Sequence, residues 1–326
     1  MAQYTNQSNL PISIAVFLAF RDYDSDPRPN SISVTTLLKS VRQIVLTSRL
    51  PPEGRPTDIM GLVPSALGSA VHSRIEHAWL NHYRPCMEAL GIPAKVIDRI
   101  VLNPDPATVT EDQIPVYLEQ RSEREMEGFI ITGKYDFIFN GELEDFKNTS
   151  VFSYQARNKD NAFMLQGSLY RWINPHIITK DRLAIRYILT DWSAGKVAQD
   201  PNYPKERIVT REFPLLTLPV AEQYVIGKLN QLKQYWTAPE AQLPECGEEQ
   251  LMRREPVFKY YKNPDKRTRS TKNFDTRQES QARYIEDGCV GVVVEVPGQI
   301  FGCKFCSCFD LCTQKDKYIQ NGSLQL

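Results

Sequence analysis

The stretch Gly133–Thr149, GKYDFIFNGELEDFKNT, constrains the fold more tightly than any other part of the chain. Asn140-Gly141 separates two runs that alternate apolar and polar residues. A two-residue type I′ loop needs positive φ at both central positions, and Asn-Gly meets that need at low steric cost. With Asn140 and Gly141 as the loop, the register follows. Phe139 faces Glu142, Ile138 faces Leu143, Phe137 faces Glu144 and Asp136 faces Asp145, with Lys134 opposite Lys147 one step beyond. Alternation then puts Asp136, Ile138, Leu143, Asp145 and Lys147 on one face.

Side chains directly opposed on paired strands lie about 4.5–5.5 Å apart at Cβ, so two carboxylates there repel. A divalent cation offsets the repulsion, because hard cations take carboxylate oxygens. Lys147 stands beside the pair. Two acids and a lysine around a metal meet the needs of phosphodiester hydrolysis, in which phosphate is polarised, water is ionised and developing charge is offset. Asp-x-Lys by itself also describes many solvated surface hairpins, so the neighbouring residues decide. Downstream, Gln166 and Tyr170 are four apart in a stretch of helical character, Asn161–Trp172, and share a face. Upstream, His72 and Glu76 share a face of another helical stretch, about Leu67–Leu90, where Glu76 reads as a solvated helix residue. His77, His82 and His176 read as structural.

The order of these features is a helical His, then Gly-x-x-Asp, then Asp-x-Lys, then Gln-x-x-x-Tyr. It resembles the RecB-type nucleases of the PD-(D/E)XK superfamily, a group that includes the nuclease domain of AddB, CRISPR-adaptation nucleases and many phage exonucleases. The resemblance spans about Val34–Trp172. It implies an α/β fold, a restriction-endonuclease-like mixed sheet flanked by helices. It implies that His72, Asp136 and Asp145 bind Mg²⁺ or Mn²⁺, that Lys147 is the catalytic lysine, and that Gln166 and Tyr170 support the site and DNA.

Composition sets outer bounds. The chain has 326 residues, 41% hydrophobic and 24% charged, enough for one large domain or two. Net charge is zero, so any contact with DNA must come from a local patch. No stretch is long enough to span a bilayer, and Leu10–Phe20 lacks the flanks of a signal peptide. That run reads as a buried strand or an early packed segment, and the protein as intracellular and cytoplasmic. Seven cysteines then read as thiols or metal ligands.

In chain order, Met1–Leu10 reads as frayed and Asp22–Asn30 as a loop. Ser33 caps a helix over Val34–Leu46, and Pro51–Pro64 is a connection. Strands follow over Val116–Arg121, Gly128–Phe139 and Glu142–Asn148. The Gln166 helix comes next, then strands at Leu183–Leu189 and Glu206–Phe213, and a helix over Pro219–Trp236. Helices before and after a strand cluster point to an α/β domain with a mixed sheet. Ala238–Pro244 loosens into a linker. Phe258–Phe274 is rich in Lys, Arg and aromatic residues. It reads as a solvated loop, with single-stranded DNA binding as the alternative. Asp275–Asp287 reads as helix and Val290–Val296 as strand.

The tail carries Cys303-Lys-Phe-Cys306 and Cys312, a C-x2-C-x5-C run with Cys308 inside it. Two thiolates separated by two residues can share a metal centre, and a fourth ligand must come from elsewhere. Cys246, in a Leu-Pro-Glu-Cys loop, is the choice; Cys308, Cys289 and Cys86 compete. The run looks like the one that holds a [4Fe–4S] cluster in AddB and CRISPR-adaptation nucleases. In those families the far Cys precedes the His motif, and this chain has none there. Phage relatives look similar in placing a Cys after the nuclease motifs. Four thiolates bind zinc equally well, so Zn²⁺ stays open.

The expectation is therefore a nuclease core over 1–240 and a basic, cysteine-stapled subdomain over 241–326. The activity expected is metal-dependent hydrolysis of DNA, exonucleolytic, on single strands or duplex ends, in phage-type recombination or processing. The rivals are a DNA- or partner-binding module that has kept the fold without catalysis, and a zinc-stapled nucleic-acid-binding protein.

Overall fold

The computed structural model describes residues 4–20, 26–51 and 56–325. The chain forms two compact units, Met1–Leu38 with Pro51–Asn230 and Lys39–Leu50 with Gln231–Leu326. The architecture is mixed α/β, with several sheets flanked by helices.

In the first unit the strands are β1 (Ser31–Ser33), β2 (Ile100–Leu102), β3 (Ile114–Leu118), β4 (Arg121–Met126), β5 (Phe129–Lys134), β6 (Phe137–Phe139), β7 (Glu142–Thr149), β8 (Arg182–Leu189) and β9 (Ile208–Pro214). Six of them form one mixed sheet in the order β9-β8-β7-β6-β3-β2, and β1-β5-β4 form a smaller one. Asn140 and Gly141 take φ values of 46° and 82°, the loop their residue types predict. The pairs Phe137–Glu144, Ile138–Leu143 and Phe139–Glu142 are in the expected register. Gly141 is needed for space as well as conformation, since a Cβ there would clash with Thr179 Oγ1. Strands β7 and β8 run parallel, which demands a crossover. Helix Asp160–Ile173 lies within it, with Leu169 and Trp172 buried, as are Leu143 and Ile185 in the sheet.

A second turn with positive φ, at Glu127-Gly128, joins β4 to β5. Leu118 lies opposite Phe137 and Arg121 opposite Lys134, so β3/β6 and β4/β5 share one register. They are a single antiparallel ribbon, interrupted at Glu119-Gln120 and Tyr135-Asp136 where it passes from one sheet into the other. Glu119 sits there at φ 48°, and its N–H donates to the Asp136 carbonyl at 3.1 Å. Val116–Arg121 and Gly128–Phe139 are therefore not unbroken strands. Lys134 does not face Lys147, because β5 has left for the smaller sheet; its ammonium lies 2.9 Å from Glu119.

Four further expectations are corrected. Leu10–Phe20 is not a buried strand: it holds α1 (Ile12–Ala19), in which only Leu18 is buried, while Ile12 and Val16 are exposed. A short apolar run carries no period that separates strand from helix. Val34–Leu46 is two helices. Ser33 caps α2 (Val34–Leu37), and Ser40 then opens α3 (Val41–Ser48) through a capping box with Gln43. The His72 helix, α4, begins earlier than expected and spans Val63–Ala89. Tyr4–Thr5, expected to be frayed, pairs with Thr57–Asp58. Residues 1–3, 21–25 and 52–55, on which parts of the loop readings fall, lie outside the described residues.

The second unit holds an antiparallel sheet of β10 (Val257–Tyr261), β11 (Lys272–Phe274) and β12 (Val292–Val296) in the order β11-β10-β12. Helix Arg277–Glu286, capped by the Thr276 hydroxyl, packs against it. The Tyr260 hydroxyl donates to Asp287 at 3.0 Å. Among the described residues no helix is long and apolar enough to cross a membrane.

Candidate metal centre and thiol pocket

The break in the ribbon builds a site in the first unit. Glu119 and Asp136 occupy opposed positions of the interruption, Asp145 lies one strand further on in β7, and His72 projects from α4. His72 Nδ1 lies 3.4 Å from Glu119 Oε1 and 3.5 Å from Asp136 Oδ1. Its Nε2 lies 3.0 Å from the carbonyl oxygen of Phe146. A carbonyl only accepts, so Nε2 carries the hydrogen and Nδ1 turns toward the two carboxylates. The Phe146 N–H donates to Asp136 Oδ2 at 3.2 Å. The backbone of one residue, Phe146, thus holds both the imidazole and the acid.

Asp145 is buried, and its Oδ2 lies 2.6 Å from Lys147 Nζ. Beyond that ammonium, Oδ2 accepts no hydrogen bond. Asp136, Asp145, Gln166 and Tyr170 line one pocket with Phe163 and Gly167. The Gln166 amide donates to the Tyr170 hydroxyl at 3.1 Å. Gly133 makes room for that tyrosine: a Cβ there would sit 2.8 Å from Tyr170 Cε1.

Burial and the neighbouring Asp145 charge push the Asp136 carboxyl up to about 7, against the pull of His72, Lys147 and the Phe146 N–H. The Glu119 carboxylate raises the His72 imidazole above its ordinary value, outweighing burial, and Asp136 adds to the effect. Burial would raise Glu119, but His72 and Lys134 outweigh it and hold its carboxyl low. Burial would lower Lys147, but Asp145 and Asp136 outweigh it and keep the amine charged. Burial raises the Tyr170 phenol, so it stays neutral.

All six residues expected here (His72, Asp136, Asp145, Lys147, Gln166 and Tyr170) belong to this unit. The acid that joins His72 and Asp136 most closely is Glu119, which sequence reasoning missed. Ligand atoms of His72, Glu119 and Asp136 all lie within 4.8 Å of one another, and among the described residues no other group of three His, Cys, Asp or Glu does so. Asp145 stands outside that trio, paired with Lys147.

In the second unit, Cys246, Cys303, Cys306, Cys308 and Cys312 line one pocket with Arg42 and Gln43 of α3. All five are free thiols; Cys86 and Cys289 are exposed and line no part of it. Three side chains of the α3 start reach sulfur: Ser40 Oγ lies 3.1 Å from Cys246, Arg42 donates to Cys312 at 3.6 Å, and Gln43 to Cys306 at 3.9 Å. Arg42 is itself buried and also donates to the carbonyls of Glu240, Leu243 and Pro244 and to the Glu240 carboxylate. A hydrogen bond from Cys308 pulls the Cys306 thiol down to about 6, while burial and neighbouring sulfurs push Cys303 up to about 11.

No family model matches the sequence, and no curated protein matches it. Among solved structures, the crystal structure of SSO0001 aligns with TM-score 0.39 and 14% identity over 68% of this chain and 89% of that one. A phage related exonuclease from Haemophilus somnus 129PT aligns with TM-score 0.25 and 18% identity over 36% of this chain and 57% of that one. Likenesses this distant carry no argument about the site.

Proposed function

We propose that the chain is a metal-dependent deoxyribonuclease of the RecB type, with a PD-(D/E)XK core, acting on DNA ends in phage-type processing inside the cell. One observation carries the reading. An imidazole nitrogen and two carboxylate oxygens converge within 4.8 Å, beside a third carboxylate, buried and paired with a lysine. Nδ1 of a neutral imidazole and two ionised carboxylates are all acceptors. They tolerate such proximity only around a shared proton or a cation.

The donor set, all hard oxygens and one imidazole, fits Mg²⁺ or Mn²⁺. His72, Glu119, Asp136 and Asp145 would hold the ion. When bound, it would polarise the phosphate and lower the pKa of water. Lys147, kept charged by Asp145, donates to phosphate oxygens as charge builds on them. Asp145 in turn fixes the direction of that ammonium. Gln166 and Tyr170 orient the strand through the amide and the neutral phenol. Hydrolysis adds water across one P–O bond: the water oxygen bonds to phosphorus, and the leaving alkoxide takes up a proton. In the second unit, Cys246, Cys303, Cys306 and Cys312 would hold a [4Fe–4S] cluster, or zinc, as a staple.

The test is degradation of labelled single- and double-stranded DNA with Mn²⁺ by the wild type, Asp145→Asn and Lys147→Ala. The wild type degrades DNA and each variant is slower by about 100-fold or more. Equal rates for all three, or no cleavage by any, would overturn the reading. Iron and sulfide in anaerobically purified protein support the cluster; stoichiometric zinc without sulfide refutes it.

A further inference from the structure

The basic segment of the second unit takes no part in either site. Between Lys259 and Arg277 the chain carries seven lysines and arginines against two aspartates, in a protein of zero net charge. Of its rings, Phe274 is half-buried, with the Lys272 ammonium 5.1 Å from the ring centroid. Phe258, Tyr260 and Tyr261 are buried, and Arg277 lies over Phe258 from the helix side. The cations are left outside. Lys262–Thr271 is the loop between β10 and β11, and Lys262, Lys266, Arg267 and Arg269 are all exposed on it.

Some exposed cations of this chain, Arg28, Arg84 and Arg182 among them, have a carboxylate partner nearby. Among the described residues no carboxylate pairs with Lys266, Arg267 or Arg269. Arg267 Nε donates only to the Pro264 carbonyl, at 2.8 Å. The loop is shaped from within: the Thr271 hydroxyl accepts the Lys262 N–H at 3.0 Å, and Asn263 accepts from Asp265 at 3.0 Å. Three cations without a carboxylate ion pair therefore lie within residues 266–269 of a formed hairpin.

We propose that this loop is a contact surface for the phosphate backbone of nucleic acid, blind to base identity. Its choice of nucleic acid over another polyanion rests on the nuclease reading above. The buried rings dictate the second half of the statement. Single-strand binders stack bases on exposed aromatic side chains, and here Phe258, Tyr260 and Tyr261 are buried while Phe274 is half-buried with Lys272 over its ring. What remains is counterion release by Lys and Arg, which does not discriminate between bases.

The test measures binding in EDTA, where hydrolysis does not enter, so a failed cleavage assay leaves it readable. The full chain and the triple variant Lys266→Gln, Arg267→Gln, Arg269→Gln are titrated with a duplex and with an abasic single strand at several salt concentrations. A control triple, Lys95→Gln, Lys180→Gln, Lys205→Gln, makes the same change in net charge on exposed residues of the first unit. Loss of three phosphate contacts makes the slope of log affinity against log salt shallower by about 2–3 on duplex. At low salt the affinity of the loop variant falls roughly 10- to 100-fold for both ligands, and that of the control far less. An unchanged slope, an equal loss in the control, or a loss confined to the base-bearing strand would overturn the proposal. So would intact DNA binding with lost binding to phosphatidylglycerol vesicles.

Discussion

Replacing Asp136 by Asn stabilises the metal-free protein at alkaline pH. The carboxyl is raised from 3.8 to about 7, chiefly by burial and then by Asp145. A raised carboxyl binds its proton more tightly in the folded than in the unfolded state. Stability from this group is therefore full below about pH 4 and falls as pH rises through about 7. At pH 8 the folded state holds the anion at a cost on the order of 2–4 kcal/mol. Asn has no charge to bury, and its amide oxygen still accepts the Phe146 N–H. Glu119 remains beside His72, so the imidazole keeps a carboxylate. Urea unfolding in EDTA, followed by tryptophan fluorescence, should place Asp136→Asn on the order of 2–4 kcal/mol above wild type at pH 8, with the gap closing by pH 4.5. Added Mn²⁺ should raise the wild-type Tm more at pH 8 than at pH 6, because ion and proton compete for one oxygen, and should leave the variant nearly unmoved. A variant less stable than wild type at pH 8 without metal would refute the reasoning.

Two further outcomes follow from the same geometry. Glu119→Gln keeps the shape of the site but removes one charge from the trio; the Mn²⁺ concentration for half the Tm shift should rise about 10- to 100-fold. Gly133→Ala drives a methyl to 2.8 Å from the Tyr170 ring, so unfolding free energy should drop by about 1–3 kcal/mol, with Tyr170→Leu in the same chain recovering part of it.

The hairpin was legible because Asn-Gly states its own turn type, and the turn fixes register for several residues on each side. That was enough to bring Asp136, Asp145 and Lys147 together on paper. Glu119 was not legible. It follows Val116–Leu118 with no Gly or Pro to mark the break, and positive φ at a glutamate leaves no trace in composition. The shared register of the two strand pairs was the usable signal, and it required recognising Glu127-Gly128 as a turn. The break at Ser40 was visible as Ser-x-x-Gln, but the apolar stripe through Leu37, Leu38, Val41 and Val45 masked it. The cysteine spacing drew Cys303, Cys306 and Cys312 together, whereas Arg42, more than two hundred residues away in sequence, could not be foreseen as their neighbour. Phe258–Phe274 reads as a solvated loop, but its two ends are strands and Phe258, Tyr260 and Tyr261 are buried, because the density of Lys and Arg in the segment masks its short strand pattern.

Helix α3 has a consequence for anyone who would cut this protein in two. Lys39–Leu50 belongs to the second unit, yet residues of the first precede and follow it along the chain. A fragment ended at residue 240 would retain Val45 and Leu46, both buried in the whole protein, while losing the cysteines that Ser40, Arg42 and Gln43 reach. The complementary fragment would lack the guanidinium that holds the Leu243 and Pro244 carbonyls. Neither half can be obtained by a single scission, so loss of activity on truncation would report misfolding before it reported anything about catalysis.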